Sequence, residues 1–191
     1  PEGVCRPPAW PEPVAGLANW DYPGNAYYQS RALKLRAFVT ASVLLMMVDH
    51  AQENSPEIGV GRSDWLSHHL VLFGYTYLHA ADVVPDEAKE AYLYGVRKLA
   101  QRVVEWGPER ETIGMDMATA VGLHFIAESL DDPTWRSAAE SYARKMFTDR
   151  DFFHPAGYFV TLGGYDSSLN GAALSYAVRL AITSDYAFVR E

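Results

Sequence analysis

The stretch RSDWLSHHLVLFGYTYLHA, residues 62–80, decides the fold because its pattern returns twice further along the chain. GMDMATAVGLHFIAESL covers residues 114–130, and GYDSSLNGAALSYAVRLAI covers residues 164–182. Each segment places an aspartate before an apolar helical run, and the three aspartates are spaced by 52 and 50 residues: Asp64, Asp116 and Asp166. A repeat of about 50 residues that consists of helices predicts stacked helical hairpins.

Two kinds of helix alternate along the chain. The three Asp-headed helices are apolar almost all round, as expected of buried helices. The helices that follow from Asp86 and Pro133 carry Lys, Arg and Glu on one face and are predicted to lie outside. This alternation predicts an all-α protein, either an α/α toroid (an incomplete barrel of hairpins) or an α-solenoid. The 191 residues hold roughly three and a half hairpins, so we expect a partial arc that further chain segments or subunits would complete.

The chain divides into an arm, residues 1–26, and a helical domain, residues 27–191. The arm holds six of the eleven prolines, and proline removes backbone donors and blocks helix formation. We therefore expect an extended arm that packs on the body through its aromatic residues. In the helical domain, a first helix is predicted over about residues 28–50. A short β-prone loop is predicted near residues 157–163, just before the last inner helix.

Composition narrows the classes of partner. The net charge of −8 gives no general basic surface, so we expect no nucleic-acid partner. No run reaches the 18 or so apolar residues of a membrane span, and no HxH or HExxH pattern occurs. We expect no membrane partner, no metal and no cofactor. The single cysteine, Cys5, excludes an internal disulfide. The chain begins at Pro1, so we expect a processed product, periplasmic or secreted if a signal peptide was removed.

Polar side chains at the starts of the inner helices are the first candidates for chemistry. A helix N-terminus favours anions, and an aspartate there most often caps the helix; alternatively, the three aspartates form one functional rim. His68 and His69 follow Asp64 within the first turns of their helix. Because adjacent helical residues lie about 100° apart, only one of them points towards the axis of the barrel. Histidine is the usual proton-transfer group near neutral pH, although a structural role for both remains an alternative.

The string GGYDSSLNG, residues 163–171, crowds polar groups onto the start of an apolar helix. Tyr165 can act as an acid or a base, and Asn170 can neutralise a carboxylate by hydrogen bonding; a turn followed by a cap is the alternative. Trp65 and Tyr158 lie near the predicted rim, where an aromatic face can stack on a sugar ring.

Residues 60–180 resemble the toroid polysaccharide lyases of the alginate, hyaluronate and heparinase types. The resemblance rests on the hairpin period, on DDPTW at residues 131–135 and on GYFV…GGYDSSLNGAAL at residues 157–174. It implies an incomplete α/α toroid that cleaves acidic polysaccharides by β-elimination. In that group a Tyr or His removes the C5 proton of a uronate, a Tyr often protonates the leaving oxygen, and Asn, Gln or Arg neutralises the carboxylate.

Carried onto this sequence, the resemblance assigns the following roles. His69 or His68, together with Tyr165, transfers protons. Asn170 and Arg62 bind the carboxylate, because Ser67 stands where some members have Asn before the histidine. The remaining predicted substrate contacts are Trp65, Tyr158, Asp116 and Asp166.

Two other functions remain open at this stage. A glycoside hydrolase would use two of the three aspartates, which would have to lie about 5–10 Å apart. A helical-repeat scaffold without catalysis would bind a protein partner on a concave apolar face. The acidic composition means that a lyase must concentrate its Arg and His at the rim.

Overall fold

A computed structural model describes residues 10–54, 64–107, 113–161 and 164–190 and confirms the all-α class. The helices within these ranges are α1 Pro11–Asn19, α2 Arg31–Asn54, α3 Asp64–Ala80, α4 Asp86–Trp106, α5 Ile113–Leu130, α6 Pro133–Thr148 and α7 Ser167–Thr183. Two short strands, β1 Phe153–His154 and β2 Tyr158–Phe159, pair in an antiparallel hairpin, and 3-10 turns cover Ala81–Val83 and Ala187–Val189. The predicted β-prone loop is therefore a hairpin that begins a few residues earlier than expected.

The inner helices α3, α5 and α7 lie side by side, with α5 in the middle and almost fully buried. The expectation that all three are buried is wrong for α7, which exposes one apolar face. The parallel pair α3 and α5 is held in one register along its length. Thr119 donates to Ser67 Oγ over 2.7 Å, and Gly122 lies against Leu70. Both contacts join residues 52 positions apart, which is the first step of the sequence repeat. The repeat in the sequence thus corresponds to a spatial register between α3 and α5.

The register changes between α5 and α7. A Cβ built at Gly114 would lie 3.4 Å from the Cβ of Ala172, and His124 Nε2 lies 3.2 Å from the carbonyl oxygen of Thr183. These contacts join residues 58 and 59 positions apart, whereas the sequence repeat has a step of 50. The last inner helix therefore extends further at its N-terminal end than the repeat implies.

This shift separates the aspartates that were predicted to line up. With a step of 58, the residue of α7 that lies level with Asp116 is Leu174. Asp166 precedes Leu174 by eight residues, which corresponds to about 12 Å along the helix axis. The prediction of one rim of three aspartates is wrong for Asp166. Asp116 is also not a cap, because α5 begins three residues earlier, at Ile113. Asp166 does cap α7, since its carboxylate accepts from the backbone N–H groups of Ser168 and Leu169.

The N-terminal arm contains a helix where extended chain was predicted. Residues 11–19 form α1, because Pro11 and Pro13 lie in its first turn, where helical N–H groups lack partners in any case. The arm packs on the body through this helix, but not through the aromatic residues expected to do so, because Trp10, Trp20 and Tyr22 are exposed. Val14, Ala15 and Ala18 are buried, and α1 contacts α2 and α3.

The outer helices α4 and α6 follow the predicted pattern and expose charged side chains. Asp132 caps α6 by accepting from Thr134 N–H, and Pro133 is the first residue of the helix. α2 differs, because large apolar side chains occupy its exposed face. No helix in the described ranges has the length and apolar character needed to cross a membrane.

Candidate functional site

A cavity of about 470 Å³ lies where the start of α1 meets α3 and α7. Its wall is largely apolar, with a few polar groups that converge on it. This is the usual composition of a small-molecule site. The lining residues are Trp10, Glu12, Pro13, His68, His69, Val71, Leu72 and Tyr176.

The polar centre of this cavity is a histidine–tyrosine pair. His68 Nδ1 lies 2.6 Å from the hydroxyl oxygen of Tyr176, across 108 residues of sequence. Burial raises the pKa of Tyr176, Glu12 raises it further, and Arg179 opposes both. Tyr176 therefore keeps its proton near neutral pH and can donate it to the imidazole. A hydroxyl bonded to a histidine is a common arrangement for proton transfer.

The two adjacent histidines have different surroundings, as helix geometry predicts. His68 is exposed, whereas His69 is 6% exposed and packs against Phe73 with ring centroids 5.7 Å apart. His69 contributes to the cavity wall, and His68 presents its ring to incoming molecules. Of the two predicted proton-transfer histidines, His68 is the one with access to a substrate.

An ion pair continues the site along α1. Arg179 on α7 donates to the carboxylate of Glu12 on α1, and the Arg179 side chain is 39% exposed. The pair borders a second cavity, of about 680 Å³. Its lining residues are Glu12, Pro13, Gly16, Leu17, Trp20, Tyr75, Phe125, Arg179, Ile182 and Thr183. Because the two cavities share Glu12 and Pro13, we refer to them together as the α1 groove.

Two exposed tryptophans stand at the ends of this groove. Trp10 and Trp20 flank α1 and are 54% and 70% exposed. Their backbones lie about 15 Å apart, given the rise of a helix over ten residues. Exposed tryptophan faces beside a polar centre suit a ring-shaped polar ligand such as a sugar.

Three other predicted residues, Asn170, Tyr165 and Tyr158, lie on a different side of α7. They line a separate cavity of about 470 Å³, together with Phe147, Leu174 and Val178 among others. The structure does not place these residues in one cleft with the histidines. The predicted partnership of Tyr165 with His68 or His69 is therefore not found.

Asn170 has a structural task in this region. Its Oδ1 accepts from the backbone N–H of Phe159 over 2.8 Å, and its Nδ2 donates over 2.9 Å to the carbonyl oxygens of Phe159 and Asp166. The side-chain amide nitrogen of Asn170 thus donates only to backbone carbonyl oxygens among its described contacts. Asn170 fastens the β hairpin to α7, and its amide is committed to that contact instead of to a substrate carboxylate.

We expect Asn170→Leu to lower the free energy of unfolding by about 1–3 kcal/mol, because the buried backbone groups of Phe159 lose their partners. Urea denaturation would measure this change. Ser175→Ala on the same helix removes an exposed hydroxyl and serves as the matched control. Equal stability of the two variants would contradict the role of Asn170.

The exposed aromatic residues of the hairpin form a small cluster. Tyr165 is 64% exposed and meets Tyr158 edge to face, with centroids 5.4 Å apart. Tyr158 in turn stacks on His154 at 4.5 Å. This cluster offers flat faces to solvent, but it lies on the opposite side of α7 from the histidine–tyrosine pair.

The aspartates are used within the fold. Asp116 is 4% exposed and accepts from the Tyr142 hydroxyl over 2.8 Å, and Asp166 is engaged as a cap. Neither Asp116 nor Asp166 is therefore an open carboxylate of the kind that a hydrolase uses. Arg62 lies outside the described residues, as do the side chains of Trp65 and Asp64.

Four groove residues, Trp10, Glu12, Tyr176 and Arg179, are absent from the predicted site. Trp10 gave a weak signal as an aromatic residue in the arm, whereas nothing in the sequence distinguishes Tyr176 within an apolar helix. Within the described ranges, no group of three or more His, Cys, Asp or Glu side chains could hold a metal ion. No protein-family model, curated protein or solved structure matches this chain.

Proposed function

We propose that this chain is a carbohydrate-active protein, a polysaccharide lyase that cleaves a uronate-containing glycan in the α1 groove by β-elimination. The observation that carries the proposal is the 2.6 Å contact between His68 Nδ1 and the Tyr176 hydroxyl, in an apolar cavity beside Trp10. β-Elimination needs one group that removes a carbon-bound proton and one that protonates a leaving oxygen. A coupled histidine and tyrosine supply both.

In the proposed reaction the Tyr176 oxygen removes the C5 proton of the uronate while its own proton passes to His68 Nδ1. The C5–H bonding pair becomes the C4–C5 double bond, and the C4–O bond breaks with its electrons remaining on the oxygen. The imidazolium of His68 then protonates that oxygen. Tyr176 has regained a proton from C5, so both residues end in their starting states.

Among the residues that the structure describes, Arg179 is the cation best placed to bind the uronate carboxylate. It lies three residues after Tyr176 on α7, close to one helical turn away on a neighbouring face. It already binds one carboxylate, that of Glu12, and an incoming uronate would exchange with it. Arg179 would take the neutralising role predicted for Asn170, whereas Arg62, the other predicted neutraliser, lies outside the described residues.

The architecture assumed for this function is a partial α/α toroid. The parallel α3, α5 and α7 form its inner layer, and α4 and α6 lie outside. α1 packs alongside α3, and the groove lies between α1 and the helices α3 and α7. A glycan would therefore bind on the inner side of the arc.

The test is incubation of the purified chain with alginate, glucuronan and glycosaminoglycans while ultraviolet absorbance of the unsaturated uronate is recorded. We expect the unmodified chain to form ultraviolet-absorbing product and the Tyr176→Phe variant to form none. Reducing ends released without ultraviolet absorbance would instead indicate a hydrolase and overturn the lyase. Absence of both signals on every glycan would overturn the enzymatic proposal and favour a binding scaffold.

A pH prediction follows from the surroundings of Tyr176. Burial is the largest cause of its raised pKa, Glu12 adds to it, and Arg179 lowers it. In Glu12→Gln one raising charge is lost and Arg179 acts unopposed, so the pKa of Tyr176 falls. Because the proposed reaction starts with Tyr176 protonated and passes that proton to the leaving oxygen, loss of the proton to solvent ends activity, and the falling limb of kcat against pH moves to lower pH.

Glu140→Gln is the matched control for this experiment, since Glu140 forms an ion pair with Arg144 on the distant face of α6. Its pH profile should coincide with that of the unmodified chain. A limb that stays in place or moves to higher pH in Glu12→Gln would contradict the proposed role of Tyr176.

A further inference from the structure

α2 exposes an apolar face that is unusual for an outer helix. Its large side chains are 45–63% exposed and repeat at intervals of three and four residues, so they share one face. We call this face the α2 stripe: Leu35, Val39, Val43, Met46 and Met47. Contiguous apolar faces of this length on a soluble protein usually mark an interaction site.

A second apolar face occurs at the other end of the array. Leu174, Val178 and Ile182 on α7 are 51–76% exposed and repeat every four residues; we call them the α7 stripe. Within the chain each inner helix is followed by an outer helix, α3 by α4 and α5 by α6.

We infer that the α7 stripe is covered by the α2 stripe of a second copy of this chain. The outer helix of each hairpin runs antiparallel to its inner helix, and α2 of the second copy would do the same beside α7. In antiparallel register the two stripes match turn for turn. Leu35 falls opposite Ile182, Val39 opposite Val178, and Val43 opposite Leu174.

One helical turn further along, the side chains of the two helices are also complementary in size. The bulky Met46 and Met47 come opposite Gly171, where a Cβ would have no atom within 4 Å. The open space beside Gly171 can therefore receive a methionine side chain, which adapts readily to irregular gaps.

Charged residues are complementary where the start of α2 would meet the C-terminal end of α7. Arg31, exposed at the start of α2, would lie at the C-terminal end of α7 beside the exposed Asp185. Cations are favoured near the carbonyl end of a helix, and the aspartate adds a direct partner. The reversed orientation of α2 would bring the acidic Glu53 to that end instead.

The contact joins two different faces, so it is heterologous. Each copy offers both stripes, and repetition of the contact forms either a ring or an open array. The unmodified chain should therefore show a mass, by analytical ultracentrifugation, that rises with concentration above its 21.3 kDa.

Two single variants give a specific test. Val39→Glu blocks the α2 stripe and Val178→Glu blocks the α7 stripe, so neither variant should assemble alone. An equimolar mixture retains one intact pair of stripes, and it should form a dimer of twice the 21.3 kDa chain mass that grows no further. Tyr94→Glu, at a 73% exposed position on α4, is the matched control and should assemble like the unmodified chain.

Three results would overturn the inference. The unmodified chain could stay monomeric at every concentration, the Val178→Glu variant could still dimerise through α2 alone, or the mixture could remain monomeric. Circular dichroism melting checks that the variants fold. A charge pair tests the same contact without altering either stripe: Arg31→Glu and Asp185→Arg should each weaken assembly, and mixing them should restore it.

Discussion

Gly122→Ala is expected to destabilise the chain by about 3 kcal/mol, near the upper end of what overpacking costs. A Cβ at Gly122 would lie 2.6 Å from the Cβ of Leu70 and 2.9 Å from the backbone carbonyl carbon of Leu70 and the nitrogen of Val71. These atoms belong to the backbone or are attached directly to it, so no rotation of a side chain can relieve the clash. The two central inner helices must move apart, and the packing between them is lost.

Thermal unfolding would register this change as a fall in Tm of about 6–12 °C for a chain of this size. Gly114→Ala is the matched control in the same helix, because its Cβ would have its nearest neighbour at 3.4 Å, an ordinary contact. It should leave Tm unchanged or raise it, since alanine favours helix over glycine. A Gly122→Ala chain as stable as Gly114→Ala would mean that α3 and α5 do not approach as closely as described.

Tyr176→Phe is expected to lower kcat by about 10²–10⁴-fold, the range for loss of a proton-transfer group. The substitution removes the hydroxyl that lies 2.6 Å from His68 Nδ1 and leaves the ring in place. Binding of the glycan should change little, so KM should stay within a few-fold of its original value. Initial rates of the ultraviolet-absorbing product would measure both constants.

The partner variant His68→Gln should lose activity to a similar extent. Because residues that act as a unit are not additive, the double variant should lose about as much as either single variant. Tyr94→Phe, which removes an exposed hydroxyl from α4, is the control. Losses that multiply in the double variant, or full activity in Tyr176→Phe, would contradict a coupled pair.

The hairpin architecture could be predicted because its signals are local. The apolar and charged faces of α4 and α6 repeat with helical period, and Asp132 and Asp166 precede their helices as caps do. The hairpin around Tyr158 followed from glycines that flank a β-prone run. Each of these features depends on residues that are close in sequence.

The register and the site depend on distant contacts. The second step of 50 residues suggested that Asp166 stands level with Asp116, but packing of Gly114 against Ala172 shifts α7 along its axis. Tyr176 reaches His68 only because of this packing. A repeat in the sequence shows that helices are related, and it does not determine how far one slides along another.

The proline-rich arm was wrongly predicted to be extended along its whole length. Proline ends a helix when it occurs in the interior, but Pro11 and Pro13 occupy the first turn of α1. The position of the prolines decides the outcome, and their number does not. Because residues 11–19 form a helix, Glu12 can reach Arg179. No pattern in the sequence predicts this contact.

The glycine contacts between α3 and α5 also have a mechanical consequence. With Gly74 against Phe125 and Gly122 against Leu70, the backbones of the two helices touch at successive turns and form one stiff body. His68 belongs to that body. A polar contact near the surface, that of Asn19 with the carbonyl oxygen of His79, ties α1 to this body, and the pair of Glu12 with Arg179 ties α1 to α7. Under the proposed function, we therefore expect any adjustment that admits a glycan to occur in α1, while His68 keeps its position.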